Sequence, residues 1–286
     1  MPAHRPGLTL VVMPELPEVE SGRATIERAA LHRPIADVDD TDTWVCRPHA
    51  PGEIRAALLD RALTAACRQG KSLWCETARS QDTADGPVLG LHLGMSGRIL
   101  VTDGAGALTE GGDRVAGNAA EQAERNPAWS RFTITFADGG TLRLFDKRRL
   151  GRVRLDPDLT GLGPDAERIG LTVFRERVGR GTAPVKARLL DQSVLAGVGN
   201  LLADETLWRA RLDPRRRVDT LGADELTALH RALRSATRAA IRNGGVHTGT
   251  VIAHRRPDGH CPRCGAAMQR ATVGGRTTWF CPQEQR

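Results

Sequence analysis

The sequence predicts an α+β protein: an N-terminal antiparallel β-sandwich or barrel flanked by helices, then a C-terminal helical region ending in a zinc-finger-like β-hairpin. Three observations carry this expectation. Short apolar segments alternate with turn residues from Ser72 to Phe145, the pattern of antiparallel strands. Leu226, Leu229, Leu233, Ala236, Ala240 and Ile241 form one stripe through 223–242, the period of a core-facing helix. Cys261-Pro262-Arg263-Cys264 is followed after sixteen residues by Cys281, a spacing suited to a zinc hairpin.

Taken in order, Val19 to Leu31 reads as an amphipathic helix stopped by Pro34. Strands are expected at Ser72–Thr77, Val88–Leu93, Arg98–Thr102, Phe132–Phe136 and Thr141–Phe145, with Asp103 to Pro127 a surface loop for want of apolar anchors. Glycine, proline and charge mark 156–184 as a linker. Lys186–Leu195 and Leu201–Ala210 read as helices interrupted by Gly197-Val198-Gly199-Asn200, and Ala223–Arg242 as a long helix capped by Asn243-Gly244-Gly245. The expected divisions are an extension at 1–13, a β-rich domain at 14–155, a linker at 156–184, a helical domain at 185–250 and a hairpin at 251–286.

A chain of 286 residues can bury a sizeable core and suits two domains. Residues 1–140 hold 14 basic and 19 acidic side chains, whereas residues 141–286 hold 27 and 15, so the second half is the expected polyanion face. Arginine outnumbers lysine 38 to 3, which singles out Lys71, Lys147 and Lys186, since arginine does not readily lose its proton. The apolar run Leu8 to Val12 is too short for a secretory signal and no run is long enough to span a membrane, so reduced thiols and a cytoplasmic, nucleoid-associated location are expected.

The most reactive stretch is Met13-Pro14-Glu15-Leu16-Pro17-Glu18-Val19-Glu20. A proline directly after methionine invites removal of that methionine, and the exposed proline carries a secondary amine. An α-amine has a reference pKa near 8 against about 10.4 for lysine, so far more of it is unprotonated at neutral pH. Twelve residues precede Met13, and while they remain attached the Pro14 nitrogen is an amide, so a mature start at Pro14 is expected. Pro2, which lacks a following glutamate, is the rival terminus. Glu18 and Glu20 also suit a plain helix start, as acids on the positive end of the dipole.

This N-terminal stretch resembles the formamidopyrimidine-DNA glycosylases and their endonuclease VIII sisters, and further motifs follow in family order: Arg68-Gln69-Gly70-Lys71, His92-Leu93-Gly94-Met95-Ser96-Gly97, Asp146-Lys147-Arg148-Arg149-Leu150-Gly151-Arg152, Asp191-Gln192, Leu195-Ala196-Gly197-Val198-Gly199-Asn200 and Arg276-Thr277-Thr278-Trp279-Phe280. The resemblance implies a helix–two-turn–helix in the second domain, and a bifunctional DNA glycosylase and abasic-site lyase of base excision repair. Pro14 would attack C1′, Glu15 would assist as acid and base, and Lys71 and Arg276 would hold phosphates beside the lesion. His92, Arg149, Lys186 and Asn200 would contact DNA, with Met95, Arg148 and Leu150 filling the space left by the flipped nucleotide. Leu150 stands where the family has phenylalanine.

The resemblance further implies double-stranded DNA with oxidised bases or abasic sites as the partner, with no membrane, redox cofactor or nucleotide. A monomer suffices for one site in a duplex. Cys261, Cys264 and Cys281 are the candidate ligands of one structural zinc ion, but the fourth position is Glu284, with His260 as a substitute if the hairpin bends back. Gly245 to His260 is short where many relatives carry a loop that closes over 8-oxoguanine, which widens the candidate lesions to formamidopyrimidines, oxidised pyrimidines and abasic sites. A damaged-DNA-binding protein with a blocked terminus and no chemistry is the alternative.

Overall fold

A computed structural model describes residues 14–79, 85–113 and 126–286. The extension at 1–13, and residues 114–125 of the expected loop, lie outside the described residues. Helix α1 (Leu16–Ala29) opens the described chain with Pro17 in its first turn, where a missing N–H breaks no helical bond. Strand β1 (Ile35–Asp39), helix α2 (Glu53–Leu58) and strand β2 (Ala62–Gln69) follow, none of them singled out by the apolar pattern. Then come β3 (Ser72–Ala78), β4 (Leu89–His92), β5 (Arg98–Thr102), β6 (Leu108–Gly112), β7 (Ser130–Phe136), β8 (Thr141–Phe145) and β9 (Arg152–Leu155).

Two antiparallel sheets result, a five-stranded one in the order β1-β7-β8-β5-β6 and a four-stranded one in the order β2-β3-β4-β9. Strand β6 corrects the expectation of a loop from Asp103 to Pro127. Its own side chains are largely half-exposed, but its backbone pairs with β5 from Thr102↔Leu108 to Arg98↔Gly112, and α1 packs on it. Ladder bonds and a neighbouring helix, which composition does not reveal, make this segment a strand.

The second half is helical. Helix α3 (Leu171–Val178) lies inside the stretch expected to be linker, burying Phe174 and Val178. Helix α4 (Val185–Leu190) stops short of the expected Leu195, because Asp191 leaves the helical region and its carboxylate accepts from the Ser193 N–H and hydroxyl at 3.0 and 2.6 Å. Helix α5 (Asn200–Ala210) and helix α6 (Ala223–Asn243) follow, α6 ending on Gly244 in the left-handed region. Strands β10 (Gln269–Val273) and β11 (Arg276–Phe280) form the terminal hairpin.

One apolar core fills the β-rich half and includes Val19, Ile26, Ile99, Phe132 and Phe136. A second fills the helical half and includes Phe174, Leu202, Leu207 and Leu233, and it also takes in Leu16. The first turn of α1 is thus seated in the helical half while the rest of the helix packs on the sheets. Full burial of Leu16 contributes about 2 kcal/mol to that seat. Arg68, at the end of β2, adds a charged tie, donating to Glu20, Asp165 and Glu167 at 2.7, 2.5 and 2.8 Å with its own side chain fully buried. Among the described residues no helix is long and apolar enough to cross a membrane.

Candidate active site and nucleic-acid interface

The N-terminal motif docks onto the start of α5. Leu16 N–H donates to the Gly197 carbonyl at 3.1 Å, and the Glu15 carboxylate accepts from the N–H groups of Gly199, Leu201 and Leu202 at 2.9, 2.8 and 3.0 Å. Helix α5 has no cap of its own, since Gly199 carries no side chain, so a carboxylate 184 residues earlier takes its orphan donors. Gly199 must be glycine here: a Cβ would lie 2.3 Å from Glu15 Cδ.

Glu15 is buried, and burial pushes its carboxyl above the ordinary range, opposed by Lys71 and by the three N–H donors. Glu18 lies behind it, accepting from the Glu15 N–H at 2.9 Å and the Val246 N–H at 2.6 Å. Burial, and then the proximity of Glu15, raise Glu18 to about 8. Pro14 itself is buried, immediately before Glu15 in the chain. Two acids with raised affinity for protons, coupled to each other, therefore follow closely in the chain on the residue whose nitrogen is the candidate nucleophile.

Lys71 reaches the same place from the β2–β3 turn. Gly70, at φ 58°, presses against Ala196 and Gly197, where a Cβ would come within 2.6 Å of Ala196 Cβ. The Lys71 ammonium is lowered by burial, raised by Glu15 and lowered by Arg276, and no carboxylate approaches it within ion-pair distance among the described residues. Arg276, the first residue of β11, is exposed and its side chain has no ion-pair partner among the described residues. A cation from each half of the molecule thus meets here, Lys71 in the field of Glu15 and Arg276 in the field of Lys71, an arrangement suited to phosphate.

The second surface is made of two loops. In the turn after β4, His92 Nδ1 accepts from the Gly94 N–H at 3.0 Å, which leaves the proton on Nε2 as a donor. His92 is exposed, yet desolvation by its neighbours, then Arg152 and Lys71, hold the imidazole below its ordinary pKa. Met95 Sδ lies 3.9 Å from Arg148 Nη1, bringing the 92–97 turn to the 146–151 loop. Leu150 is 39% exposed at the tip of that loop. Motif reading did not assign Asp146 a role, although it shapes the loop. Fully buried, it accepts from the N–H groups of Arg148, Leu150 and Gly151 at 3.0, 2.7 and 2.7 Å. Its place at the head of the motif was the only signal.

Three expected DNA contacts need correction or qualification. Lys186 does not face solvent: its side chain is fully buried, with Nζ 2.6 Å from Asp204 and 2.8 Å from the Thr278 hydroxyl, so it fastens α4 and α5 to β11. Arg149 is bound to Asp42 by two bonds of 2.8 and 3.1 Å. Asn200 donates to the Thr277 carbonyl at 3.0 Å, while its Oδ1 is buried without a partner among the described residues. Asp204, which lies in no motif, and Arg68, which heads one without having been given a role, prove to be hubs of the interior.

In the terminal hairpin, the Sγ atoms of Cys261, Cys264 and Cys281 lie within 4.8 Å of one another. Against burial, donors led by the Trp208 indole N–H at 3.4 Å bring Cys261 down to about 7, within reach of the thiolate a metal needs. The expected fourth ligand is otherwise engaged. Glu284 turns its carboxylate to Arg211 and Arg263 at 2.8 and 3.2 Å, and only its N–H faces Cys281 Sγ. His260 does not join the described group either. Three thiols fit three corners of a tetrahedral ion. The segment 245–260 folds as two short turns, Val246–Thr248 and Ile252–His254, tied beneath the site through Glu18 and Glu205.

Comparison with known proteins agrees with this architecture. The formamidopyrimidine-DNA glycosylase N-terminal domain matches residues 13–153 and the H2TH domain of the same enzymes matches residues 160–251. Formamidopyrimidine-DNA glycosylases of Streptomyces coelicolor and Chloroflexus aggregans are 33% and 34% identical, over 96% and 94% of this chain and 98% of theirs. A Lactococcus lactis Fpg in complex with abasic-site DNA superposes with a TM-score of 0.75 at 26% identity, covering 95% of this chain and 99% of that one. The same enzyme with FAPY-dG DNA also gives 0.75, at 26% identity and over 95% and 100% of the two chains. With two family domains that together span most of its length, and relatives aligned nearly end to end, this chain belongs to the formamidopyrimidine-DNA glycosylase family.

Proposed function

We propose that this chain is a base excision repair enzyme that removes damaged bases from DNA and cleaves the resulting abasic site, with Pro14 as the nucleophile. The observation that carries the residue assignment is Glu15: a buried carboxylate beside Pro14, pinned to the helix start that also meets Lys71. The Pro14 nitrogen must be free, so residues 1–13 are absent from the acting protein, in keeping with a family match that begins at residue 13.

The free amine attacks C1′ as Glu15 delivers a proton to the opening sugar, and the C1′–base bond breaks with its electron pair leaving on the base. Loss of the sugar oxygen from C1′ yields an iminium, permanently charged because the amine is secondary. That cation accepts the electrons released when the 2′ proton departs, so the C3′–O bond breaks in β-elimination; loss of the 4′ proton to the conjugated iminium then breaks the C5′–O bond in δ-elimination. Glu15, raised by burial yet stabilised as an anion by three N–H donors, can both give and take the proton. Lys71, Arg276, His92 and Asn200 hold the backbone, with Asn200 exchanging its bond to Thr277 for phosphate. Met95, Arg148 and Leu150 occupy the gap left by the flipped nucleotide. Arg149 reaches phosphate only by leaving Asp42, and Lys186 supports the hairpin from within.

Cys261, Cys264 and Cys281 would hold one zinc ion, which would supply a structural cross-link and take no part in the chemistry. The substrate is duplex DNA with oxidised bases or abasic sites, and one molecule suffices for one lesion. The divisions 14–155, 185–250 and 251–286 serve as β-rich catalytic domain, helix–two-turn–helix domain and phosphate-gripping hairpin, with α3 folded into the 156–184 connection.

Borohydride trapping on abasic-site DNA tests the mechanism: a covalent adduct mapped to Pro14 is expected. Strand cleavage by protein whose intact mass retains residues 1–13 would overturn the assignment of the nucleophile.

A further inference from the structure

Trp44 is 50% exposed, and Leu150 and Val173 are the only other large apolar side chains so placed among the described residues. Trp44 and Leu150 belong to segments that are fastened together. Arg149 grips Asp42 through two bonds, Arg131 approaches the same carboxylate at 3.8 Å, and the Val153 N–H donates to the Val45 carbonyl at 3.0 Å. Residues 42–45 therefore run beside the loop that carries Leu150.

The indole stands among cations. The Arg47 guanidinium lies 3.8 Å from the ring centroid and that of Arg152 5.6 Å. Arg47 and Arg154 carry no recorded ion pair among the described residues, and Arg152 gives one N–H to its neighbour's carbonyl at 2.6 Å. Of the nearby acids, Asp42 is spent on Arg149 and Asp146 on backbone amides, leaving Asp158 on the rim. A groove of about 340 Å³ lies alongside, lined by His92, Leu150, Arg152, Arg154 and Leu159 among others.

An exposed tryptophan flanked by unneutralised guanidiniums is a stacking face joined to a phosphate clamp. Leu150 can wedge a duplex open but has no ring on which to stack the bases it separates. We propose that Trp44, Arg47 and Arg152 form a platform for the undamaged strand, the indole lying against a nucleotide beside the orphan base and the guanidiniums on its phosphates. This rests on the reading of Leu150 as the wedge and extends the interface from Arg152, the last residue of the basic motif, to Trp44 and Arg47, which lie outside every motif found in the sequence.

The test uses the full chain and measures Kd for a tetrahydrofuran abasic analogue in duplex DNA, and for the same lesion strand alone. Trp44→Ala is expected to bind the duplex about tenfold more weakly, Trp44→Phe to recover most of the loss, and both to match wild type on the single strand. Arg47→Gln, at a half-buried position with no ion pair among the described residues, should lower the salt slope for duplex binding by about 0.9 and not that for the single strand. Equal losses on both substrates, or none on the duplex, overturn the platform. The enzymatic reading fails separately, if wild type neither prefers the lesion duplex nor forms a borohydride adduct.

Discussion

Lys71 and Lys186 are two of three lysines in the chain, and they end in opposite environments. Lys186 is sealed inside the helical half, with Asp204 at 2.6 Å and Thr278 at 2.8 Å. Lys71 stands at the junction of the two halves, in the field of Glu15 and Arg276 but without an ion-pair partner among the described residues. Burial depresses both ammonium groups below the ordinary lysine value. The difference is the partner: an ammonium spent on a buried carboxylate holds structure together, while one facing a carboxylate across a cleft remains available to an incoming phosphate.

The largest effect is expected where that contrast is structural. Lys186→Ala leaves Asp204 buried with only Arg255 to pair it, and should cost about 4 kcal/mol in urea unfolding. A Lys186→Ala variant as stable as wild type would dissolve the distinction between the two lysines. Lys71→Ala should do the reverse, lowering the excision rate about 10²-fold with the unfolding midpoint unchanged. A fall in stability matching that of Lys186→Ala would make both lysines structural.

The acid side sharpens the same comparison. Glu18 releases its proton near 4.5 in the unfolded chain and at about 8 in the folded one, so between those values the folded state holds the extra proton. Stability therefore falls as pH rises across that window and levels off above about 8. Glu18→Gln should flatten this slope in thermal unfolding followed from pH 5 to pH 8, and an unaltered slope would show that another group titrates. The smallest effect belongs to Arg276, exposed at the mouth: Arg276→Ala should weaken DNA binding and reduce the salt slope by about 0.9, one phosphate contact. An unchanged slope would remove the hairpin tip from the interface.

Much of the site could be read in the sequence because its parts are local. Pro14-Glu15-Leu16-Pro17 states a reactive terminus and a helix start within four residues, and Gly197-Val198-Gly199-Asn200 states a close backbone approach before a helix. Strands such as β5 and β8, with dense apolar residues, fell on the expected positions. Strand β6 and helix α3 did not, because β6 exists through pairing with β5 and α3 through burying Phe174 and Val178 against distant helices. The thiol spacing marked the terminal cluster, but only the fold showed that Glu284 is held by Arg211 and Arg263.

By itself, the sequence determined the chemistry on offer: a proline that can become an amine, acids beside it, sparse lysines, three clustered thiols and a basic second half. Those are properties of residue type and short spacing. Only the tertiary structure decided which charges are spent and which are free, because each neutralising contact spans a long stretch of chain. Glu15 caps a helix 184 residues away, Arg149 meets Asp42 across 107 residues, and Asp204 claims Lys186. Desolvation and pairing act at a few ångströms in space, and no local pattern encodes which distant carboxylate will arrive there.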